Sequence, residues 1–596
     1  MIRSAANFFE FLRLFYQHAG WRLPALLVLI AVGGIVEAIG IVTLLPLLNA
    51  AVGESANNEV AGLAIQALAV FGIVPSILNL LLVIVGVFVL RGGLEFFSTY
   101  FMSCIIVGIR RRVQADLTRR FCDMAFPYYT AHSAGWFNNI LVAEVARFVA
   151  SMRSFSLVSV SLINAVVLLP VALSMKAEVT LTIFVAAALA LLSLRGVIRR
   201  TAGHSREQTR LQGRLNAMFI QLIQAFIYLK ATYSTVAANS HVIDTIDRLA
   251  RTELRIRRLS AFIAAIKDPI AVVILAAFIY YEVEVLGGTL SEVIVVGLVL
   301  YRMLIQLVSL APQLQVFNQT IGGVFAVRDV LSELDRHLET GVRGQPPDLE
   351  APIMFRDVSF RHGSEPILQN LNVELRPNQM VGVVGESGAG KTTFFHLLTG
   401  LLRPQEGRIE IGGIPYERID LQALRRQIGY VTQEPAIFDD TVANNISLWQ
   451  CPTDDAACMK RVHTAAMLAR CDGFVESLEQ GYQTRVGDRG IRLSGGERQR
   501  IAIARELFKD PRLLIFDEAS SALDAHSEHY VQESINRMHG DRTILIITHR
   551  LTSVRNCDHI YVFSNGRIVE DGSFELLFNR PDSRFRRMCN EQGISA

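Results

Sequence analysis

The chain has 596 residues, of which 51% are hydrophobic and only 19% charged, and its mean hydropathy is +0.34. A soluble globular chain carries about 25% charge; here the deficit falls in the first part, which holds long uncharged runs, while the second part has the composition of a soluble α/β domain. A net charge of +3 gives no footing for nucleic-acid binding, and seven cysteines without metal-ligand spacing are expected to be reduced structural thiols.

Residues 1–20 place Phe8, Phe9, Leu12, Phe15 and Tyr16 at helical spacing, with Arg3 and Arg13 nearby. The pattern predicts an amphipathic helix on a membrane surface. It is too aromatic and amphipathic for a cleavable signal peptide.

Six segments are apolar for the roughly 20 residues that a bilayer crossing needs. They are 22–49, 78–106, 155–176, 178–198, 259–281 and 289–311. Ala51–Ser76 and Tyr281–Glu292 contain glutamates but no Lys or Arg. The segment after the second span carries Arg110, Arg111, Arg112, Arg119 and Arg120, and the one after the fourth carries Arg199, Arg200, Arg206, Arg210 and Arg214. The positive-inside rule then puts both termini in the cytoplasm. A tight external turn near Lys176 joins the third and fourth spans. The two cytoplasmic connections read as helices that continue beyond the membrane. Their turns, Tyr128–Asn139 and Asn216–Lys230, are as suited to coupling with another domain as to simple connection. Pro346, Pro347 and Pro352, with Gly341 and Gly344, mark a linker at 335–352. The expected organisation is an elbow helix at 1–20, an all-α membrane domain at 21–334, the linker, and an α/β P-loop ATPase domain at 353–596.

Within the last domain, Gly385-Glu386-Ser387-Gly388-Ala389-Gly390-Lys391-Thr392 is a phosphate-binding P-loop between an apolar strand and a helix beginning near Thr393. Its glycines let backbone N–H groups face a phosphate, and the helix start adds its positive dipole end. Lys391 reaches the β- and γ-phosphates, and the Thr392 hydroxyl ligates Mg²⁺. Leu513–Glu518 is a buried strand ending in two carboxylates. Asp517 is placed to hold Mg²⁺, and Glu518 to orient and deprotonate a water that attacks the γ-phosphate of ATP. Leu493-Ser494-Gly495-Gly496-Glu497 opens another helix, a second anion site. One nucleotide does not need two such sites from one chain, which points to two chains sandwiching ATP.

With these motifs the sequence resembles an ATP-binding-cassette exporter half-transporter along essentially its whole length. Leu493–Glu497 matches the family signature. The resemblance implies that Gln433 is the glutamine that contacts Mg²⁺ and senses the membrane domain. It implies that Asp524, in Ser521–Asp524, belongs to the D-loop, and that His549 is the switch histidine near the γ-phosphate. His362 stands where the family stacks a tyrosine on adenine, and Asp488 where a glutamate is common.

In the sixth span Arg302, Gln306, Ser309 and Gln313 share one helical face. Either they line a polar cavity suited to an anionic head group, or Arg302 pairs with Glu37 or Glu95 as interhelical glue. Lys267 and Asp268 precede a kink expected at Pro269. The first span, Glu37–Leu48, resembles that of bacterial flippases for lipid-linked oligosaccharides. Val60, Leu63, Ala64, Leu68 and Phe71 suit the short external helix of such proteins. No peptidase domain precedes the first span, so a self-processed leader peptide is not expected. The reading is a homodimeric ATP-driven exporter or flippase of a bacterial inner membrane, moving a lipid or other amphiphile. Its rivals are a peptide or hydrophobic-drug exporter and a membrane ATPase acting as receptor or regulated channel.

Overall fold

The computed structural model describes residues 2–52, 59–70, 76–175, 195–285, 290–339, 344–519 and 525–594, with isolated positions at 72, 74, 177, 178 and 180. They form two compact units. The first holds Met1–Met124 and His132–Leu338; the second holds Ala125–Ala131 and Glu339–Ala596.

The first unit is helical: α1 (Ile2–Ala19), α2 (Arg22–Val42), α3 (Leu44–Val52), α4 (Glu59–Val70), α5 (Ile77–Cys122), then, after α6 (Phe126–Thr130) of the second unit, α7 (Ala134–Asn138), α8 (Val145–Met175), α9 (Arg195–Gln224), α10 (Phe226–Ala231), α11 (Thr235–Tyr280) and α12 (Leu290–Arg336). Among the described residues four stretches are long and apolar enough to cross a membrane: Arg22–Asn49, Ile77–Cys122, Ala134–Met175 and Val293–Leu314. The span expected at 178–198 lies mostly outside the described residues, as does Lys176. The span at 259–281 is the end of α11, which stays helical through Pro269; the side chains of Lys267 and Asp268 lie outside those described. At 46 residues each, α5 and α11 run about 69 Å, more than twice the ~30 Å hydrocarbon layer. They therefore extend well beyond the bilayer, as the long connections predict.

The α1 helix differs from expectation. Its ring at Phe11, which the surface pattern passed over, is fully buried together with Phe15. Phe11 lies 5.0 Å from both Phe155 and Phe317, and Phe15 lies 5.7 Å from Phe155. Aromatic burial of this kind stabilises each ring by a few kcal/mol, so this face seats in protein rather than in lipid headgroups. Tyr16 is exposed, and the side chains of Phe8 and Phe9 lie outside those described. Of the apolar positions proposed for α4, Leu68 is buried, and the side chains of Val60, Leu63, Ala64 and Phe71 are not described.

The second unit carries ten strands: β1 (Ile353–His362), β2 (Glu365–Leu375), β3 (Met380–Gly385), β4 (Glu406–Ile411), β5 (Ile414–Pro415), β6 (Ile428–Val431), β7 (Leu513–Asp517), β8 (Thr543–Thr548), β9 (His559–Ser564) and β10 (Arg567–Gly572). An antiparallel sheet has the order β2-β1-β4-β5. A larger sheet has the order β10-β9-β3-β8-β7-β6, parallel except at the β10 edge. Strands β3 and β8 are buried at every residue, which explains why they read as unbroken apolar runs rather than alternating ones. In register, Val384 faces Thr548 and Asp517 faces Ile547. The chain therefore leaves β3, β8 and β7 side by side at one edge of the sheet, where parallel α/β sheets hold ligands.

One expectation about the cysteines is corrected. Cys451 and Cys458 form a disulfide, with their Cα atoms 6.0 Å apart. Leu448 and Trp449 both adopt positive φ, at 48° and 54°. This reversal returns Cys451 to the first turn of the helix Ala456–Leu468, where Cys458 sits. Spacing alone does not reveal such a reversal. Cys104, Cys122, Cys471, Cys557 and Cys589 are free thiols.

Candidate functional site

The P-loop joins β3 to the helix Lys391–Leu398. Gly385, Gly388 and Gly390 have φ of 155°, 80° and 100°, which L side chains rarely adopt. A Cβ at Gly385 would come 2.4 Å from the Phe563 carbonyl oxygen, and one at Gly390 2.6 Å from Leu368 Cδ2. The backbone thus turns tightly enough to aim the first-turn N–H groups of Lys391, Thr392 and Thr393, which no helix carbonyl can accept, at one point. Ser387 and Thr392 are exposed beside it. Lys391 is 8% exposed, and its ammonium donates to the carbonyls of Gly385 (2.7 Å) and Glu386 (2.9 Å). Burial lowers its pKa, while Glu518 and Asp517 act in the opposite direction.

The two carboxylates at the end of β7 diverge. Burial is the largest influence on Asp517 and raises its pKa; Glu518 adds to this, while the Tyr430 hydrogen bond and Lys391 lower it. Tyr430 donates its hydroxyl to Asp517 Oδ2 at 3.1 Å and stacks on Phe395 of the P-loop helix, with centroids 4.1 Å apart. Burial and Asp517 push the Tyr430 phenol up, so it stays a donor. Glu518 has φ of 50°, a conformation costing about 1–3 kcal/mol away from glycine. Its N–H donates to the Ile547 carbonyl at 2.8 Å, pinning it to β8. Its Oε1 then lies 2.9 Å from His549 Nδ1. A residue after β7 and a residue after β8, 31 apart in sequence, are thereby brought into contact.

The other expected residues fall as follows. Gln433 is exposed in the loop after β6. That loop is tied to the signature helix Gly495–Phe508 by Gln499, whose Nε2 donates to the Thr432 carbonyl at 3.1 Å. Ser494 caps the same helix: its hydroxyl accepts from Glu497 N (3.3 Å) while its own N–H donates to Glu497 Oε2 (2.7 Å). Ser494 and Gly495 are exposed and Gly496 is buried. His362 is exposed at the end of β1, and Asp488 is exposed. Asp524 lies outside the described residues.

The sequence did not single out three residues that hold this site in place. Tyr430 is one; its position just before the Gln433 loop was the available signal. Arg505 is 6% exposed and donates to the carbonyls of Ala436 (2.5 Å) and Asn445 (2.7 Å) and to Asn445 Oδ1 (3.0 Å), fixing the loop beyond Gln433. Gln592 is the third. Its Nε2 donates to the His549 carbonyl at 2.6 Å, and its Oε1 accepts from Leu551 N at 3.0 Å. Nothing in the sequence marks a glutamine 43 residues downstream as the brace of His549. Each such hydrogen bond contributes about 0.5–1.5 kcal/mol. Gln592→Ala is therefore expected to lower ATP turnover about 3- to 10-fold at little-changed KM, measured as steady-state phosphate release.

The donor set suits a nucleoside triphosphate with a hard cation. Three positive-φ glycines, a buried ammonium, a hydroxyl at Thr392 and a carboxylate at Asp517 offer nitrogen donors to phosphate and oxygens to a metal.

In the first unit, Glu37 is 2% exposed on α2 and lies between two arginines. Arg91 Nη2 is 2.9 Å from its Oε2, and Arg302 Nη1 is 3.5 Å from its Oε1, a Coulombic contact rather than a hydrogen bond. Gln313 accepts from the Ser161 hydroxyl at 3.4 Å across α8 and α12. Gln306 lines a cavity of about 160 Å³ with Glu37, Arg91, Glu95 and Asn164. The polar face of α12 thus divides. Gln313 is engaged between helices, Gln306 opens to the cavity, and Arg302 reaches across to Glu37.

Residues 368–521 match the ABC transporter family. ABC transporter B family member 21 of Arabidopsis thaliana is 39% identical over 46% of this chain, but the chain spans only 21% of that plant protein. The fold resembles that of a bacterial Atm1-family ABC exporter solved with ATP bound, at a TM-score of 0.75 and 24% identity over 96% of this chain and 98% of that one. An ATP-dependent lipid A-core flippase from Thiobacillus denitrificans is 32% identical over 83% of this chain and 85% of its own length. With that relative matched through both units, the chain belongs to the ABC transporter family, as a half-transporter whose helical membrane unit precedes a single ATPase domain.

Proposed function

We propose that this protein is an ATP-driven exporter that moves an anionic amphiphile from the cytoplasmic to the outer face of a bacterial inner membrane. The observation that carries the proposal is the Glu518–His549 pair, 2.9 Å apart beside the glycine cradle, in a chain whose other unit holds apolar helices of membrane-crossing length. Glu518 takes the proton of the attacking water, His549 steadies the carboxylate and the γ-phosphate, and Lys391 offsets charge on the leaving phosphates. Thr392, Asp517 and Gln433 would hold Mg²⁺, which would offset charge on the phosphates. Two copies work together, each supplying Ser494, Gly495, Gly496 and Asp524 to the other's nucleotide. Both termini face the cytoplasm.

The flippase relative spans both units, which favours a lipid or lipid-linked glycan as cargo. The haemolysin-translocating relative from Escherichia coli matches only 40% of this chain. Closure of the ATP-bound dimer turns the membrane unit outward. The helix α6 is positioned to feel that closure: its Phe126 ring lies 4.7 Å from His396 on the P-loop helix.

The test is ATPase activity in nanodiscs against polyprenyl-linked glycans, phospholipids and peptides. Stimulation by a lipid class, lost in Arg302→Ala, is expected. Stimulation by peptides alone would overturn the cargo assignment. Unchanged transport by a folded Arg302→Ala protein would assign Arg302 to helix pairing with Glu37.

A further inference from the structure

The phosphate cradle carries one charge of the wrong sign. Glu386 follows Gly385 directly in the loop, and its backbone carbonyl accepts from the Lys391 ammonium at 2.9 Å and from the Ala389 N–H at 3.2 Å. A carboxylate so placed opposes phosphate in two ways. It repels the nucleotide's charge, and it offers a rival acceptor to the N–H groups that the loop aims at the phosphates.

The fold gives this carboxylate a partner from far along the chain. Glu386 Oε1 lies 2.6 Å from Arg584 Nη2, across 198 positions. Among the described residues this is the only ion pair that Glu386 makes. The two side chains are 71% and 36% exposed. Exposed pairs contribute little to stability, because water screens them and ordering two long side chains costs entropy. The consequence of this pair therefore falls on the charge of the loop rather than on the fold.

The helix that presents Arg584 is anchored independently of the pair. This helix, Arg584–Glu591, starts against Glu570 of β10. The Glu570 carboxylate accepts from the Ser583 hydroxyl (2.8 Å), the Arg584 N–H (2.6 Å) and the Phe585 N–H (2.9 Å). Hydrogen bonds of this kind at a helix start are strengthened by the carboxylate's charge. Ser583, Phe585 and Cys589 are fully buried, and the Phe585 ring meets Phe574 with centroids 5.3 Å apart. The guanidinium can thus be removed without releasing the backbone that carries it. The same segment ends at Gln592, the brace of His549. Residues 583–592 therefore touch the site at two loops, at one through a charge and at the other through an amide.

We propose that Arg584 sets the ATP affinity of the P-loop, by holding the Glu386 carboxylate in an ion pair and so keeping its charge from opposing the phosphates. Arg584 is a positioning residue that acts through Glu386. The inference rests on the ATPase assignment and not on the cargo. Equilibrium binding of ATP and steady-state turnover are measured on the full-length protein in nanodiscs, at about 50 and 300 mM salt. Arg584→Ala is expected to raise Kd and KM for ATP about 3- to 10-fold at the lower salt, with kcat little changed. Glu386→Gln is expected to act in the opposite direction, lowering both about 2- to 3-fold, because it frees the arginine's charge to attract phosphate. The two substitutions in one chain are expected to return both values to within about twofold of wild type. Arg584→Lys, which keeps the charge, is expected to stay near wild type, and all differences narrow at the higher salt.

Wild-type affinity in a folded Arg584→Ala protein would overturn the inference. So would a weakened affinity that persists when Glu386→Gln is added, which would assign Arg584 to holding its helix. Thermal unfolding checks the fold of each variant. Glu386→Gln alters only an exposed side chain, so its sign is informative by itself: unchanged or weaker binding of ATP in that protein also overturns the inference. ATP binding without hydrolysis in the wild-type protein would sink the ATPase assignment, and the order of the four Kd values would still decide the role of Arg584.

Discussion

Glu518→Gln is expected to lower ATP turnover by about 10²- to 10⁴-fold, the range for a positioned general base, while leaving ATP binding intact. The substitution keeps the volume and the backbone but removes the negative charge. Three features tie the proton-accepting role to this carboxylate rather than to its neighbour. Asp517 is occupied by the Tyr430 hydroxyl and is one of the groups that would hold Mg²⁺. Glu518 is held in a left-handed conformation by its hydrogen bond to Ile547, which turns its side chain out of the strand. It alone of the two meets His549, at 2.9 Å. Steady-state phosphate release and equilibrium binding of ATP, measured on the same preparation, separate the two effects. A glutamine protein that hydrolyses ATP at the normal rate would place the base elsewhere. A glutamine protein that no longer binds ATP would show that the carboxylate serves the cradle instead.

The parts of this site that were legible in the sequence are those whose chemistry is local. The P-loop needs its glycines, Lys391 and Thr392 within eight residues, so its spacing survives without any knowledge of the fold. The apolar strand ending in Asp517 and Glu518 and the Ser494 cap are local in the same way. The juxtaposition of Glu518 with His549 became readable only through the likeness to a family, because it depends on β8 lying between β3 and β7. Gln592 and Arg505 were not legible, since their partners lie 43 and 60–69 residues away and their residue types carry no motif. Four of the six expected membrane spans were readable from hydropathy as described helices. Their packing was not: Phe11 is buried against Phe155 and Phe317, rings 144 and 306 positions along the chain. The Cys451–Cys458 bridge was missed because the two positive-φ residues that allow it, Leu448 and Trp449, are types that rarely adopt that conformation.

Two inactive proteins are expected to restore activity to one another. Each cassette presents two helix starts suited to an anion, at Lys391 and at Ser494. The second is exposed, and its cap is already satisfied by Glu497, so it is free to meet a phosphate from outside its own chain. If the working unit is a pair with crossed sites, Lys391→Ala spoils the P-loop half of both sites, and Ser494→Arg spoils the signature half of both. Each variant alone is expected to lose about 10²-fold or more of its turnover, as when one preorganised donor to a developing charge is removed. A mixed pair, selected by two different tags, gathers both lesions into one site and leaves the other whole. For independent sites its turnover should recover to about half of wild type. Turnover no higher than the sum of the two parents would sink the crossed arrangement. It would also require each chain to close its own Ser494 onto its own Lys391, which places both helix starts on one nucleotide within a single cassette.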